Sequence, residues 1–332
     1  MPEVAAVGIT GIGSYVPDKV LTNYDLEKMV ETSDEWIRER TGIRERRIVH
    51  PDQATSDLAV IAAEHALKDA GIDASEVDLI IVATATPDML FPSTACLVQN
   101  RIGADHAGAF DLQAGCSGFV YALSVGSQFV ATGKYKRVLV IGAETLSRIT
   151  NWDDRTTCVL FGDGAGAVVL ERVTRGRGIL ASCLGADGAG ADILCLPAGG
   201  SRLPASEQTV AAKQHYLSMN GREVFKFAVR VTEEATRQVL QQAGLTVEDV
   251  DHLILHQANI RIMEAAAKRL GIGSDRLVVN VDRYGNTSSA SIPLALSEAV
   301  VDGRIKDGDC VVMVAFGAGL TWAASAIKWG HG

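Results

Sequence analysis

The chain has 332 residues, 47% of them hydrophobic, which is enough to bury one large core or two ordinary ones. Its formal net charge of −9 argues against general nucleic-acid binding, so any acidic partner must be met by a local basic patch. Six cysteines (Cys96, Cys116, Cys158, Cys183, Cys195, Cys310) show no paired metal spacing, and a chain of this size needs no disulfide framework; a reduced cytoplasm is the simplest compartment, and no metal is expected.

Met1-Pro-Glu-Val lacks the basic start of a signal peptide, and residues 4–11 read as a first strand. Ser33-Asp-Glu-Trp-Ile-Arg opens a short helix with an acidic first turn. Thr41-Gly-Ile-Arg-Glu-Arg-Arg follows, and on charge alone it reads as a solvated basic loop. Thr55 to Ala70 forms an amphipathic helix stopped by Gly71, and a buried strand starts at Val77. The apolar run from Ala107 to Leu112 predicts another buried strand, followed by a sharp turn of small residues and a helix over Phe119 to Thr132. Cys116 therefore stands where a strand gives way to a helix N-terminus. Unpaired N–H groups and the helix dipole favour a thiolate there, which makes it a nucleophile's position, although a small buried apolar cysteine would fit as well.

Residues 185–214, rich in Gly, Ala and Pro, predict a long surface connection. The uncharged run from Cys310 to Ile327 is about as long as a minimal membrane span of ~18 residues. Gly317 and Gly319 split it, so a strand, turn and strand of a buried sheet is the expected structure, with no membrane segment.

The strongest organisational signal is an internal duplication. Ala66 to Val82 is echoed by Val239 to Leu255, each reading as helix, glycine stop, acidic turn and buried strand. Asn100-Arg-Ile-Gly matches Lys268-Arg-Leu-Gly, Gly115-Cys-Ser matches Gly285-Asn-Thr, and Val159 to Ala167 matches Val312 to Leu320 more loosely. Two copies of alternating helices and strands mean a duplicated α/β fold, with halves of residues 1–175 and 176–332. Turns at the Cys116 end of one half should then meet their equivalents across a pseudo-two-fold axis. His256 follows the apolar strand Leu253-Ile-Leu, and Asn286 occupies the turn matched to that of Cys116. A lone histidine at a strand end is ordinarily structural, and an asparagine between glycine and threonine is ordinarily a turn or cap; their joint placement beside Cys116 points to a site.

These residues carry a resemblance. The chain resembles β-ketoacyl-acyl-carrier-protein synthase III, a condensing enzyme of the thiolase superfamily. The similarity runs from Thr10-Gly-Ile-Gly-Ser-Tyr-Val-Pro through Ser33-Asp-Glu-Trp-Ile, Gly115-Cys-Ser-Gly-Phe, Phe161-Gly-Asp-Gly-Ala-Gly-Ala, His256-Gln-Ala-Asn and Gly285-Asn-Thr-Ser to Phe316-Gly-Ala-Gly-Leu-Thr-Trp. It implies a thiolase-like fold, a five-layered αβαβα sandwich, in a homodimer. It also implies a decarboxylative condensation of an acyl-CoA primer, acetyl-CoA being the simplest, with malonyl-acyl carrier protein. Acyl-CoA is a substrate there, and no cofactor is implied.

By the same resemblance Cys116 takes the acyl group, the backbone N–H groups of Cys116 and Ala318 hold the oxyanion, and His256 and Asn286 donate to the malonyl enolate. Ala318 stands where the family usually shows glycine, and Tyr284 where it commonly carries histidine, so Tyr284 receives no catalytic role. Trp36 and Arg155 would sandwich the CoA adenine with Arg40 near the phosphates, although Trp36 also reads as a helix anchor. Lys226, Arg261, Lys268 and Arg269 match a patch for the acidic carrier protein, with Glu264 placed to pair with Arg261. Phe91 matches a residue that reaches a partner's acyl pocket. Within the superfamily a polyketide-starter or other secondary-metabolite synthase uses the same triad; a Cys-His-Asn thiol hydrolase is the rival from another enzyme class, and a non-catalytic carrier-binding relative is disfavoured because all three reactive positions are filled. Primer length and branching are not legible from the sequence.

Overall fold

The computed structural model describes residues 5–330. Its main strands are β1 (Val7–Tyr15), β2 (Leu79–Ala83), β3 (Gly108–Leu112), β4 (Val138–Thr145), β5 (Asp163–Arg172), β6 (Gly178–Ala186), β7 (His252–Leu255), β8 (Leu277–Val278), β9 (Cys310–Gly317) and β10 (Thr321–Lys328). The helices that matter for the site are α1 (Asp34–Thr41), α2 (Thr55–Ala70), α3 (Thr94–Ile102), α4 (Gly118–Ala131), α5 (Gly221–Ala243), α6 (Ile260–Leu270) and α7 (Ser291–Val301). The first strand thus lies later than expected, and residue 4 is outside the described residues.

Two five-stranded sheets form, in the orders β1-β5-β4-β2-β3 and β6-β10-β9-β7-β8. Numbered within its own half, each sheet runs first, fifth, fourth, second, third. In each sheet the second strand pairs in parallel with the third and with the fourth, and the remaining pairs, β1 with β5, β5 with β4, β9 with β10 and β10 with β6, are antiparallel. The duplication is therefore one of topology. It also corrects one match: Val159 to Ala167 leads into the fifth strand of its half, whereas Val312 to Leu320 covers the fourth strand of the other.

The sheets face each other across α4 and α7. Phe119, Val120 and Leu123 of α4 and Ile292, Ala295 and Leu296 of α7 share one core cluster with residues of both sheets. Helices apolar on every side suit that middle layer. Helices α2 and α3 cover the outer face of the first sheet, and α5 and α6 that of the second, which completes five αβαβα layers. β2, Leu-Ile-Ile-Val-Ala, is buried at every residue, as a parallel strand covered on both faces must be. The run from Cys310 to Ile327 forms the antiparallel neighbours β9 and β10, and among the described residues no helix is long and apolar enough to cross a membrane.

One expectation about a loop fails and a second is incomplete. The basic segment before residue 48 is not a solvated loop: Glu45–Arg47 pairs with Val20–Thr22, and Arg46 is fully buried. Its guanidinium donates to the carbonyls of Leu21 and Val159 and to Asn23 Oδ1, so backbone acceptors take the place of water. Residues 185–214 likewise do more than connect. Leu194–Cys195 pairs with Ser218–Met219, and Leu194, Leu217 and Met219 line the central cavity.

Helix α2 lies on β1 at the distance that glycine permits. A Cβ on Gly13 would come 2.3 Å from Ala62 O and from Ala66 N, both backbone atoms of α2. Gly13→Ala is expected to destabilise the protein by about 1–3 kcal/mol, the usual cost of overpacking. The check is urea unfolding, where the midpoint should fall with the slope unchanged. An unaltered midpoint would mean that helix and strand separate freely.

Candidate active site

Cys116 sits in a 3-10 turn, Gly115–Ser117, that leads directly into α4. Gly115 has φ +53, and a Cβ there would lie 2.8 Å from Ala318 N. From the other half, a Cβ on Gly317 would lie 2.4 Å from Cys116 N. Two glycine turns thus mesh, one from each half, and bring Cys116 and Ala318 to one wall of a cavity of about 300 Å³ that His256, Asn286 and Phe316 also line. Ser117 Oγ is 2.7 Å from Thr321 Oγ1, which pins the turn from behind.

The thiol does not rest as the thiolate that a helix N-terminus suggests. Burial pushes Cys116 up to about 12, outweighing a hydrogen bond with Ser288 that acts in the opposite direction. Desolvation and the nearby Glu144 therefore oppose the thiolate that the helix N-terminus favours.

His256 follows β7 and is 1% exposed. Its N–H donates to Val314 O at 2.8 Å, and its ring meets Phe316 edge-on at a centroid distance of 5.3 Å. Burial alone lowers His256 to about 3, so the ring is neutral. Ser291 Oγ lies 2.7 Å from Nδ1 and accepts the Gln257 N–H at 3.4 Å. With the Ser291 hydroxyl donating to Nδ1, the ring's own hydrogen sits on Nε2; with Nδ1–H donating to Ser291 it would not. Gln257 fixes the segment: its amide donates to Leu255 O and Val278 O and accepts from Asn280 N–H.

Asn286 is held by backbone and by side chain. Its N–H donates to Leu160 O at 2.8 Å, and its carbonyl accepts from Gly162 N–H at 3.0 Å. Ser288 N–H donates to Oδ1 at 2.8 Å, which leaves the Nδ2 hydrogens as the available donors. Relative to α7, however, Asn286 is not the register partner of Cys116. Cys116 lies two residues before α4, and the residue two before α7 is Ser289; Asn286 stands three residues earlier in a longer turn.

The cavity opens toward α1. Ser33 caps that helix by accepting Trp36 N–H, and Trp36 and Arg40, one turn apart, both line the cavity. Arg155 lies 4.9 Å from the Trp36 ring centroid and Arg40 5.7 Å, so the three residues expected to bind a nucleotide are together. The Arg155 guanidinium occupies the ring face itself, and a base entering between them must displace it. Asn259 Nδ2 donates to Arg40 O, tying the His256 segment to α1.

The basic residues on α5 and α6 are all exposed. Lys226 pairs with Glu223 and Arg269 with Glu233, whereas among the described residues Arg261 forms no ion pair with Glu264. Phe91 is 84% exposed and lies away from its own chain's cavity wall. Three cavity or support residues were not singled out in the sequence: Phe316, Ser288 and Ser291. The serines had a signal, since Thr287-Ser-Ser-Ala-Ser is a polar run directly before an apolar helix and must be hydrogen-bonded once buried.

Two family models match the chain. Residues 110–188 match 3-oxoacyl-[acyl-carrier-protein (ACP)] synthase III, and residues 240–329 match its C-terminal part. A β-ketoacyl-[acyl-carrier-protein] synthase III of Caldanaerobacter subterraneus subsp. tengcongensis is 62% identical over 329 residues, 99% of each chain. The solved structure of β-ketoacyl-[acyl carrier protein] synthase III from Thermus thermophilus is similar with a TM-score of 0.92 at 53% identity, covering 98% of this chain and 100% of that one. That of 3-oxoacyl-[acyl-carrier-protein] synthase III from Aquifex aeolicus VF5 has a TM-score of 0.90 at 49% identity, covering 97% and 100%.

The neutral His256 gives a pH dependence of known sign. An unfolded histidine titrates near 6.5, the folded one near 3, so between those values the unfolded chain binds the extra proton. Its stabilising contribution is complete above about pH 6.5 and is lost as pH falls toward 3, with a slope of up to about 1.4 kcal/mol per pH unit. His256→Asn should unfold less steeply with acid over that window, read as urea midpoints from pH 7 to 4. Parallel profiles for variant and parent would contradict the buried neutral ring.

Proposed function

The chain belongs to the β-ketoacyl-[acyl-carrier-protein] synthase III family and is an acyl-transferring condensing enzyme that initiates fatty-acid synthesis; on that premise we propose how its residues divide the reaction. In the first half-reaction the Cys116 sulfur attacks the carbonyl carbon of an acyl-CoA primer, acetyl-CoA in the simplest case. The C–S bond to CoA breaks, and the thiol hydrogen leaves with CoA as free CoA-SH. In the second, the malonyl group on carrier protein loses carbon dioxide, and the resulting enolate carbon attacks the Cys116 thioester. The new C–C bond releases the Cys116 sulfur as a thiolate, which takes up a proton from solvent to restore the thiol, and gives a 3-oxoacyl-carrier protein.

One observation carries this division: both polar partners of Cys116 are turned into hydrogen-bond donors. Ser288 N–H occupies Asn286 Oδ1, and with Ser291 donating to His256 Nδ1 the Nδ2–H and Nε2–H groups remain for the cavity. A pair of fixed donors stabilises an enolate oxygen, and a ring held neutral by burial stays a donor without becoming a cation. The N–H groups of Cys116 and Ala318 are the donors for the tetrahedral oxyanion, a role in which the alanine side chain takes no part.

Acyl-CoA enters past Trp36, Arg40 and Arg155. Lys226, Arg261, Lys268 and Arg269 meet the acidic carrier protein on a chain whose net charge would otherwise repel it. The protein works as a homodimer. Among the described residues strand β3 ends its sheet with an unpaired edge, and Leu90 and Phe91 are 82% and 84% exposed, features that a second copy would cover. Phe91 of one protomer would then reach its partner's acyl pocket. The compartment is the cytoplasm, where the six free cysteines stay reduced.

Asn286→Ala separates the half-reactions. It is expected to lower release of labelled carbon dioxide from malonyl-carrier protein by about 10²–10³-fold, as for loss of one oxyanion donor, while single-turnover acyl transfer to Cys116 persists. Loss of acyl transfer with decarboxylation intact would reverse the roles. Peptide mapping after acetyl-CoA treatment should place the acyl mass on Cys116 alone, and acyl mass persisting in Cys116→Ala would exclude it as the nucleophile.

The carrier surface makes a separate prediction. Arg261→Ala should raise KM for malonyl-carrier protein and weaken its salt dependence, with acyl-CoA kinetics nearly unaltered. Equal losses against both substrates would move Arg261 out of the carrier site.

A further inference from the structure

Glu144 is a fully buried acid beside Cys116 to which the condensation gives no task. It lies on β4, and among the described residues its hydrogen-bond partners are hydroxyls and one N–H. From the loop after β2, Thr84 Oγ1 (3.3 Å) and Thr86 Oγ1 (2.6 Å) meet Oε2, and Ala85 N–H lies 3.1 Å from each carboxyl oxygen. From the turn before α7, Ser288 Oγ and Ser289 Oγ each lie 2.9 Å from Oε1. The titratable group facing it is Cys116; the two loops present uncharged Thr84, Thr86, Ser288 and Ser289.

The hydrogens at these contacts can be counted. Thr84 Oγ1 accepts the Thr86 N–H, and Thr86 Oγ1 accepts the Thr145 N–H, so both threonines keep their own hydrogen for Oε2. The serines differ. Ser289 Oγ has one hydrogen and two acceptors in reach, Ala83 O at 2.8 Å and Oε1 at 2.9 Å. A proton on Oε1 lets both contacts be hydrogen bonds, the hydroxyl donating to Ala83 O and accepting from the carboxyl. Ser288 also has a second partner, the Cys116 thiol, for its single hydrogen.

We propose that Glu144 acts as a neutral carboxylic acid, with its proton on Oε1 directed at Ser289, so that the Ser288 hydroxyl serves the Cys116 sulfur as that sulfur becomes a thiolate. Glu144 is thus a positioning residue that acts through Ser288 and gives up no proton in the reaction. An ionised carboxylate would draw the Ser288 hydrogen to itself and set a second negative charge beside the sulfur. Burial holds the Glu144 carboxyl above the usual carboxylate range, in keeping with this assignment. The same contact steadies Ser288 in a left-handed conformation, φ +49, from which its N–H reaches Asn286 Oδ1. This inference rests on Cys116 as the nucleophile, and its test reads the acid and the thiol without requiring condensation.

The experiment is difference infrared spectroscopy of protein carrying ¹³C-labelled glutamate, together with iodoacetamide alkylation of Cys116. Full-length wild-type protein at neutral pH should show the C=O stretch of a protonated glutamic acid, and Glu144→Gln should lack it. Ser288→Ala should slow alkylation by roughly tenfold or more, as for a hydrogen bond to a charged group, in both the parent and the Glu144→Gln background. Absence of the protonated-acid band in the wild type overturns the proposal whether or not the variants fold. So does a large acceleration of alkylation in Glu144→Gln, which would mean that the parent carries a charge there, or an unaltered rate in Ser288→Ala.

Discussion

The backbone contact between the two halves is the constraint on which the rest depends. Gly317 approaches the Cys116 N–H so closely that a single methyl group would occupy the space, and Gly115 stands in the same relation to Ala318. Neither half contains a site by itself. The Cys116 turn needs the C-terminal sheet to complete the cavity wall, and α4 and α7 lie between the sheets in one core cluster with residues of both. A close-packed, largely apolar middle layer leaves the helices few ways to slide, so the geometry at their N-terminal ends is inherited from the core.

Burial at that junction reverses the electrostatics that a cysteine-histidine pair suggests. Desolvation pushes the thiol up and the imidazole down, and both rest uncharged. A thiolate-imidazolium pair would suit a hydrolase, whose histidine must take the thiol proton. A neutral ring locked by Ser291 suits a site whose harder task is to hold an enolate oxygen. On the proposed roles, donor direction becomes the quantity that the surrounding residues set, with Ser288 N–H on Asn286 Oδ1 and Ser291 Oγ beside His256 Nδ1.

Much of this was legible in the sequence, for physical reasons that differ by element. β2 and the β9–β10 hairpin are continuous apolar runs, and α2 carries both its amphipathic face and its glycine stop, so local pattern and global fold agree there. Cys116 and His256 were visible as polar residues at the ends of apolar strands. Arg46 was not, because a charge pattern says nothing about carbonyl groups arriving from Leu21 and Val159, the latter more than a hundred residues away. The resting state of the thiol was missed for a related reason: the helix end is local and readable, whereas desolvation depends on how the second half closes over it. Residues 185–214 looked like a connection because they have no counterpart in the first half, yet that lack of a counterpart is what lets their neighbours wall the cavity.

The chemistry sits where the two halves differ. Both sheets share one strand order, and both place a 3-10 turn before a middle-layer helix. At the matched register one turn carries Cys116 and the other Ser289, a hydroxyl committed to Ala83 O and Glu144. A second nucleophile at that point would face the first across the pseudo-two-fold axis with nothing left to polarise a substrate. The longer second turn instead sets Asn286 three residues upstream, where the strand-like bridge to Phe161 can aim an amide at the cavity. Equal topology supplies two walls, and unequal turns place Cys116 on one and Asn286 on the other, the division that the proposed two-stage condensation uses.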